Sequence, residues 1–347
     1  MNSDKQIILF GAGIIGRRAL NYFGADKVYC FADNNRHGQI FCDKPVISFE
    51  ELVEIRHDYD IVLSVGAGAI EELILQCKNN VVCYNIFDQL VSYEDYESNP
   101  DIRKFKDKHK GERCFLVGNG PSLSAEDLTT LHDYQIVSFG CNHIFRMYAQ
   151  TPWRPNYYVA SDPVLFVHDV FLNTEAEYNF IPHYTDSMIQ TDTRILCMLS
   201  SIKEKTLHYH PISYSTLDAE RAFSPDVSKA IYISGTVMYN MIQIAVYMGF
   251  TRIYLIGVDG TSSTVKDPNK YLSKKRHFYK ENEDVIKYFS QLYAVASLEK
   301  HTAFVSLAYK KADEYTRERG IRIFNATSGG MVEAFERVCF KSLFEVE

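Results

Sequence analysis

The chain has 347 residues, enough for two domains with separate cores, and its 46% hydrophobic and 23% charged content is ordinary for a folded globular protein. A formal net charge of −7 argues against general nucleic-acid binding, and no apolar run approaches the ~20 residues of a membrane span. Eight cysteines without a C-x-x-C pair argue against zinc and for free thiols in a reducing cytoplasm, in keeping with a Met1–Lys5 start that lacks a signal-peptide pattern.

The first predicted strand, Gln6 to Phe10, runs into Gly11-Ala12-Gly13-Ile14-Ile15-Gly16 and a helix over 14–23. This is a G-x-G-x-x-G motif in the strand–helix context that its chemistry requires. A second strand, Val28 to Ala32, ends at Asp33, where an acid can grip a ribose diol. Gly11, Gly13, Gly16 and Asp33 therefore form a candidate nucleotide site; the alternative is that the glycines serve only close strand–helix packing. A helix over 49–55 capped by Ser48, a strand over 61–65, a helix over 69–77 and a strand over 81–85 complete a β-α-β-α-β-α-β pattern. Residues 1–92 thus read as a small Rossmann-like domain. They resemble the amino-terminal domains of bacterial sugar-modifying enzymes, some sugar O-acyltransferases among them.

Residues 93–111 are polar, charged and read as a linker. Their basic run, Arg103 to Lys110, reads as a solvated face, with a patch for an anionic inner leaflet as the alternative.

The second domain, 112–347, opens on a strand, Cys114 to Val117, that stops in Gly118-Asn119-Gly120-Pro121-Ser122. Such a loop at the carboxyl edge of a parallel sheet offers backbone N–H groups to a phosphate. Asn119 adds an amide, and Ser122 is placed to cap the next helix, 125–132. Strands over 135–139 and 156–160 run into Gly140-Cys141-Asn142-His143 and Ser161-Asp162-Pro163, so Asn119, Asn142 and Asp162 converge on one edge. The pair His208 and His210 falls in a predicted loop and lacks a third ligand at metal spacing, so no metal is expected. Ser234-Gly235-Thr236 precedes a helix from Val237 to Met248; its hydroxyls suit a phosphate or, alternatively, a plain N-cap. A buried strand from Arg252 ends at Asp259, and Thr261 to Lys275 has the length of an active-site lid. Arg276-His277-Phe278-Tyr279, helices from Val285 and from Ala303 to Arg319, and a strand over 321–325 follow. The fold class is α/β: two doubly wound Rossmann-like domains in tandem, with mostly parallel sheets.

The blocks Val-Gly-Asn-Gly-Pro-Ser-Leu, Gly-Cys-Asn-His, Ile-Ser-Gly-Thr followed by Ile-Tyr-Leu-Ile-Gly-Val-Asp, and His-Phe-Tyr resemble one superfamily. It joins bacterial lipooligosaccharide sialyltransferases, motility-associated glycosyltransferases and 6-hydroxymethylpterin pyrophosphokinase-like proteins. The resemblance implies a glycosyltransferase that moves a sialic-acid-like sugar from a CMP-sugar donor to a glycan or glycolipid, inverting and without metal. It implies a nucleotide site of Gly118, Asn119, Gly120, Ser122, Asn142, Asp162, Ser234, Gly235, Thr236 and Asp259. It also implies His277 as general base, with Tyr271 or Tyr279 receiving the phosphate. An Arg expected before Ser234 is replaced by Ile231, and a Tyr expected after the Gly-x-Asp block by Thr261. No cofactor beyond the donor is expected, nor nucleic acid; a cytoplasmic homo-oligomer, attached peripherally to the inner face of the membrane if at all, is expected. Two alternatives stand beside this reading. One is a Mg²⁺-dependent ATP phosphotransferase using Asp162 and Asp259; the other is a non-catalytic nucleotide-binding component of polysaccharide assembly.

Overall fold

The structure, a computed structural model, describes residues 5–65, 67–77, 80–85, 93, 96–161, 175–182, 203–213, 223–260, 277–279 and 298–345. The chain divides into two compact units, Met1–Asp95 and Tyr96–Glu347, each of α/β architecture. Among the described residues no helix is long and apolar enough to cross a membrane.

In the first unit, β1 (Gln6–Phe10), β2 (Val28–Ala32), β3 (Ile40–Phe41), β4 (Lys44–Ile47), β5 (Tyr59–Leu63) and β6 (Cys83–Asn85) form a sheet in the order β3-β4-β2-β1-β5-β6. All neighbours are parallel except β3 and β4. Helices α1 (Ile14–Phe23), α2 (Phe49–Ile55) and α3 (Ala67–Cys77) connect the strands. α2 begins where the sequence places it because Ser48 and Glu51 form a reciprocal capping box, with Ser48 Oγ accepting from the Glu51 N–H at 3.2 Å and Glu51 accepting from the Ser48 N–H at 2.7 Å. The β3–β4 hairpin escapes the sequence reading. Its two-residue loop places Cys42 and Asp43 at φ 49° and 62°, a left-handed turn made without the usual glycine.

In the second unit, β7 (Arg113–Val117), β8 (Ser138–Cys141), β9 (Tyr157–Val159), β10 (Tyr178–Pro182), β11 (Thr206–Tyr209), β14 (Arg252–Ile256), β15 (Arg322–Asn325) and β16 (Glu336–Arg337) form a wholly parallel sheet. Its order is β11-β10-β9-β8-β7-β14-β15-β16. The chain builds outward from β7 to β11, then returns to the other side of β7 with β14. The topological switch point therefore lies between β7 and β14. β12 (Pro211–Ser213) and β13 (Ile231–Ile233) pair separately. The His208–Pro211 segment is thus the junction of two strands rather than a loop; His208 lies within β11, and Pro211 opens β12. The Val237–Tyr247 helix packs across β7 and β9 with nearly every side chain buried, which its apolar composition requires.

The expected linker belongs largely to this unit. Asn99 caps a short helix, Pro100–Arg103, and Ile102 and Phe105 enter the main core. The N–H groups of Asp107, His109 and Gly111 donate to the carbonyls of Tyr247, Met248 and Gly249 at 3.1, 2.8 and 2.9 Å. They satisfy the open end of the Val237–Tyr247 helix. The lysines of the run stay exposed, with Lys108 standing over the rings of Phe105, Tyr157 and Tyr178. The sequence pattern shows a charged stretch; the apolar residues every third position that anchor it are too few to register as a helix.

On the opposite face of the sheet, Trp153 is fully buried and donates its indole N–H to Ser138 Oγ at 3.0 Å. Trp153→Ala is expected to cost about 3–5 kcal/mol, read as a lowered urea midpoint of the second unit.

Candidate functional site

Two strand ends meet at the switch point of the second unit, and glycine lets them do so. A Cβ on Gly118 would lie 2.5 Å from the Gly257 carbonyl oxygen, and one on Gly120 would lie 1.7 Å from Asp259 Oδ2. Gly257 itself sits at φ 63°, in the left-handed region. The Gly118 N–H donates to Ile256 O and the Gly120 N–H to Gly257 O, both at 2.8 Å. Ser122 donates its hydroxyl to Asp259 Oδ2 at 2.8 Å, and its N–H points to the same oxygen at 3.4 Å.

This geometry corrects two expectations. The N–H groups of Gly118, Gly120 and Ser122 are spent on β14 and the residues after it, so they do not form a phosphate cradle. Nor does Ser122 cap the following helix: Ser124 does, accepting from the Asp127 N–H at 3.0 Å.

Asn119 is what the loop presents. Its amide Nδ2 donates to Cys141 O at 3.0 Å, which fixes the orientation of the group and leaves Oδ1 buried without a partner. Cys141, at the end of β8, is a neutral packing group, its thiol pushed up to about 12 by burial. The next residue, Asn142, holds φ 48°, a conformation that asparagine tolerates better than other branched or bulky residues. Its carbonyl accepts from the Tyr158 phenol at 2.8 Å, and burial holds that phenol well above its usual range, so it remains a donor. Asn142 Oδ1 is also buried and unpartnered. Each orphaned acceptor costs about 1–3 kcal/mol unless a donor reaches it.

The His-Phe-Tyr block reaches the same place. The Phe278 N–H donates to Asn119 O at 3.0 Å. The rings of His277 and Tyr279 are parallel, 4.9 Å apart. Tyr279 Oη and His143 Nδ1 lie 3.1 Å apart, and the Arg146 guanidinium lies over the Tyr279 ring at 4.7 Å. His143 and Arg146 were not singled out from sequence. His143 stood in the Gly-Cys-Asn-His block, and Arg146 follows in the same 3₁₀ segment, Asn142–Met147.

The structure thus gathers Gly118, Asn119, Gly120, Ser122, Asn142, Asp259, His277 and Tyr279. Asp162, Tyr271 and the 261–275 lid lie outside the described residues. Ser234, Gly235 and Thr236 stand at the start of the Val237–Tyr247 helix. There Thr236 takes the capping alternative, accepting from the Met238 N–H at 3.3 Å, whereas Ser234 Oγ is buried and unpartnered.

The tip of the first unit behaves differently. A Cβ on Gly16 would lie 2.1 Å from Gly11 O, and one on Gly11 would meet Val65 and Ser64 at 2.4 and 2.5 Å. Asp33 is engaged by its own backbone, accepting from the N–H groups of Ala12, Asn35 and Arg36 at 2.9, 2.9 and 3.1 Å. Gly11 and Gly16 serve packing, and Asp33 ties the loop together rather than offering an open carboxylate to a ribose. Of the three motif glycines, Gly13 is the one whose added Cβ would meet nothing within 4 Å.

A family model described as 6-hydroxymethylpterin diphosphokinase MptE-like matches residues 88–264, just over half of the chain. Among solved structures, the MAf glycosyltransferase from Magnetospirillum magneticum AMB-1 is similar over 97% of this chain, at 14% identity and a TM-score of 0.40. The chain spans 58% of that protein's chain. No curated protein matches.

Gly120→Ala is expected to lower stability by about 1–3 kcal/mol in chemical denaturation, because the Asp259 side chain must move and the Gly257 backbone cannot. Gly16→Ala should lower the thermal midpoint of the first unit by several degrees, while Gly13→Ala stays within about 1 kcal/mol of the parent.

Proposed function

The chain belongs to the 6-hydroxymethylpterin diphosphokinase MptE-like family, and we propose that its second unit is a nucleotide-dependent transferase working at the β7–β14 switch point. Within that class the side chains favour glycosyl transfer from a CMP-activated acidic sugar to a hydroxyl of a glycan or glycolipid. One observation carries this reading: the hydrogen bond from the Phe278 N–H to Asn119 O, which sets His277 beside the loop that bears the orphaned amide oxygen.

The chemistry follows from those positions. Asn119 Oδ1 and Asn142 Oδ1 need donors, and a nucleoside supplies them as ribose hydroxyls or an exocyclic amine. The acceptor hydroxyl loses its proton to His277 as its oxygen attacks the anomeric carbon. The bond from that carbon to the phosphate oxygen breaks with its electron pair, through an oxocarbenium-like state, and CMP leaves. Tyr279 Oη lies 3.1 Å from His143 Nδ1, and it would donate to the phosphate as charge develops where His143 is the donor between the two.

The family's description favours a second reading, transfer of a diphosphate from ATP. Asp259 and Asp162 would then hold Mg²⁺, which neutralises phosphate charge. Asp259 Oδ2 is already occupied by Ser122, so Oδ1 would be the oxygen offered.

Thermal-shift titration with CMP, CDP, UDP, ATP and NAD separates the two. Stabilisation by CMP without metal is the expected result; stabilisation by ATP only with Mg²⁺ would replace the glycosyl reading with the second, and indifference to every nucleotide would overturn both. His277→Ala should slow CMP release from CMP-sialic acid about 10²–10⁴-fold with CMP affinity unchanged. Unaltered turnover would remove His277 from the role of base.

A further inference from the structure

A pair of thiols meets in the first unit. Cys77 is the last residue of α3 and Cys83 the first of β6, so the chain leaves the helix and re-enters the sheet between them. The turn is tight: the Cys77 carbonyl accepts from the N–H groups of both Asn80 and Val81 at 2.8 Å. The chain doubles back, the side chains come together, and the two thiols hydrogen-bond to each other. Both cysteines are free. β6 lies at one edge of the sheet, with Cys83 in register with Ile61 of β5.

The two sulfurs differ in access and in chemistry. Cys77 is 1% exposed, whereas Cys83 is partly exposed. The hydrogen bond from the Cys77 S–H to Cys83 holds the Cys77 thiol far above its ordinary range and, against the effect of burial, brings Cys83 down to about 7. A thiolate is the form that attacks oxidants, and a thiol that ionises near the surrounding pH is the best attacker. Cys83 thus has the character of an attacking sulfur. Cys77, protonated and held against it, has that of a resolving one. Burial pushes up Cys30, Cys114 and Cys141, which leaves those thiols inert.

We propose that Cys77 and Cys83 form a reversible oxidation site, at which hydrogen peroxide oxidises Cys83 and Cys77 then closes a disulfide from α3 to β6. The Cys83 thiolate attacks one peroxide oxygen, the O–O bond breaks, hydroxide leaves and a sulfenic acid forms. The Cys77 sulfur then attacks the Cys83 sulfur. The S–O bond breaks, and the sulfenic hydroxyl leaves with the Cys77 proton as water. The pair of sulfurs loses two electrons, and peroxide is reduced by the same two. A small dithiol reverses the crosslink by thiol–disulfide exchange. The bond would fasten the edge strand to the end of the helix. This site is separate from the one read at the β7–β14 switch point and does not depend on that reading.

The test uses the full chain, reduced, treated with hydrogen peroxide, digested without reductant and mapped by mass spectrometry. The expected product is a peptide crosslinked between Cys77 and Cys83 that dithiothreitol releases. Cys77→Ser should stop the reaction at a Cys83 sulfenic acid that dimedone traps, and Cys83→Ser should leave Cys77 unmodified. In the reduced parent at pH 7, iodoacetamide should alkylate Cys83 about 3- to 10-fold faster than the exposed Cys339. The parent's map and alkylation rates need no substitution, so a variant that fails to fold cannot hide the outcome. Peroxide that leaves Cys77 and Cys83 uncrosslinked, or a Cys83 that reacts no faster than Cys339, would overturn the proposal.

Discussion

The close approach of β7 and β14 governs the second unit. Two consecutive parallel neighbours normally keep their loops apart, because side chains at the strand ends fill the gap. Here Gly118, Gly120 and Gly257 remove them, and the Gly118 and Gly120 N–H groups pass straight to the opposite chain. The seam brings Asp259 onto Ser122 and leaves the Asn119 amide facing the end of β8. The loop after β15 is bound to the same seam. Thr327 Oγ1 accepts from the Val258 N–H at 3.1 Å, and the Met331 N–H donates to Asp259 O at 2.6 Å. Arg337 fastens that loop by donating to the carbonyls of Thr327, Gly329 and Gly330. Three chain segments thus depend on one pair of strand ends being close enough to share backbone hydrogen bonds.

A glycine-rich loop after a buried strand is commonly read as a source of backbone donors for phosphate. In this protein the glycines act earlier in the causal chain. They spend their donors on strand–strand closure, and the site we propose is left to side chains: Asn119 on the loop, Asn142 after β8, and the His277–Tyr279 pair. The strain of Asn142 in the left-handed region fits the same division of labour. Tyr158 holds its carbonyl, so the unusual backbone is maintained by a buried side chain.

Strands such as Gln6–Phe10 and Arg252–Ile256 were legible because they are short apolar runs bounded by glycine and polar residues. The helices were legible where a cap marked them, as Ser48 and Glu51 mark α2. The 96–111 segment was not, because its burial is carried by two residues, Ile102 and Phe105, and by backbone bonds to a helix 140 positions away in sequence, which no local pattern records. The cysteine–aspartate turn between β3 and β4 was hidden for another reason: it takes positive φ without the glycine that usually signals such a loop. At the candidate site the motif residues were legible as types, yet their roles were not. Spacing shows that Ser122 and Ser124 are both eligible caps; only the position of Asp259, from 137 residues later, decides which hydroxyl is free to cap.

The two units carry the same kind of tip but differ in how fully its polar groups are paired. In the first, the Asp33 carboxylate accepts three backbone N–H groups, and Ser64 Oγ donates to Gly11 O at 3.0 Å. Among its described residues no buried side-chain nitrogen or oxygen is left without a partner. In the second, Asn119 Oδ1 and Asn142 Oδ1 are buried and unsatisfied at the tip, and so are groups elsewhere in the unit such as Asn179 Oδ1, Ser234 Oγ and Asn240 Oδ1. At about 1–3 kcal/mol each, such groups are an expensive feature for a protein whose whole stability is a few times larger. On the reading we propose, the unpaired oxygens at the second tip are where a bound molecule would supply donors. Ribose hydroxyls or an exocyclic amine are the donors that the nucleotide we propose would bring to Asn119 Oδ1 and Asn142 Oδ1.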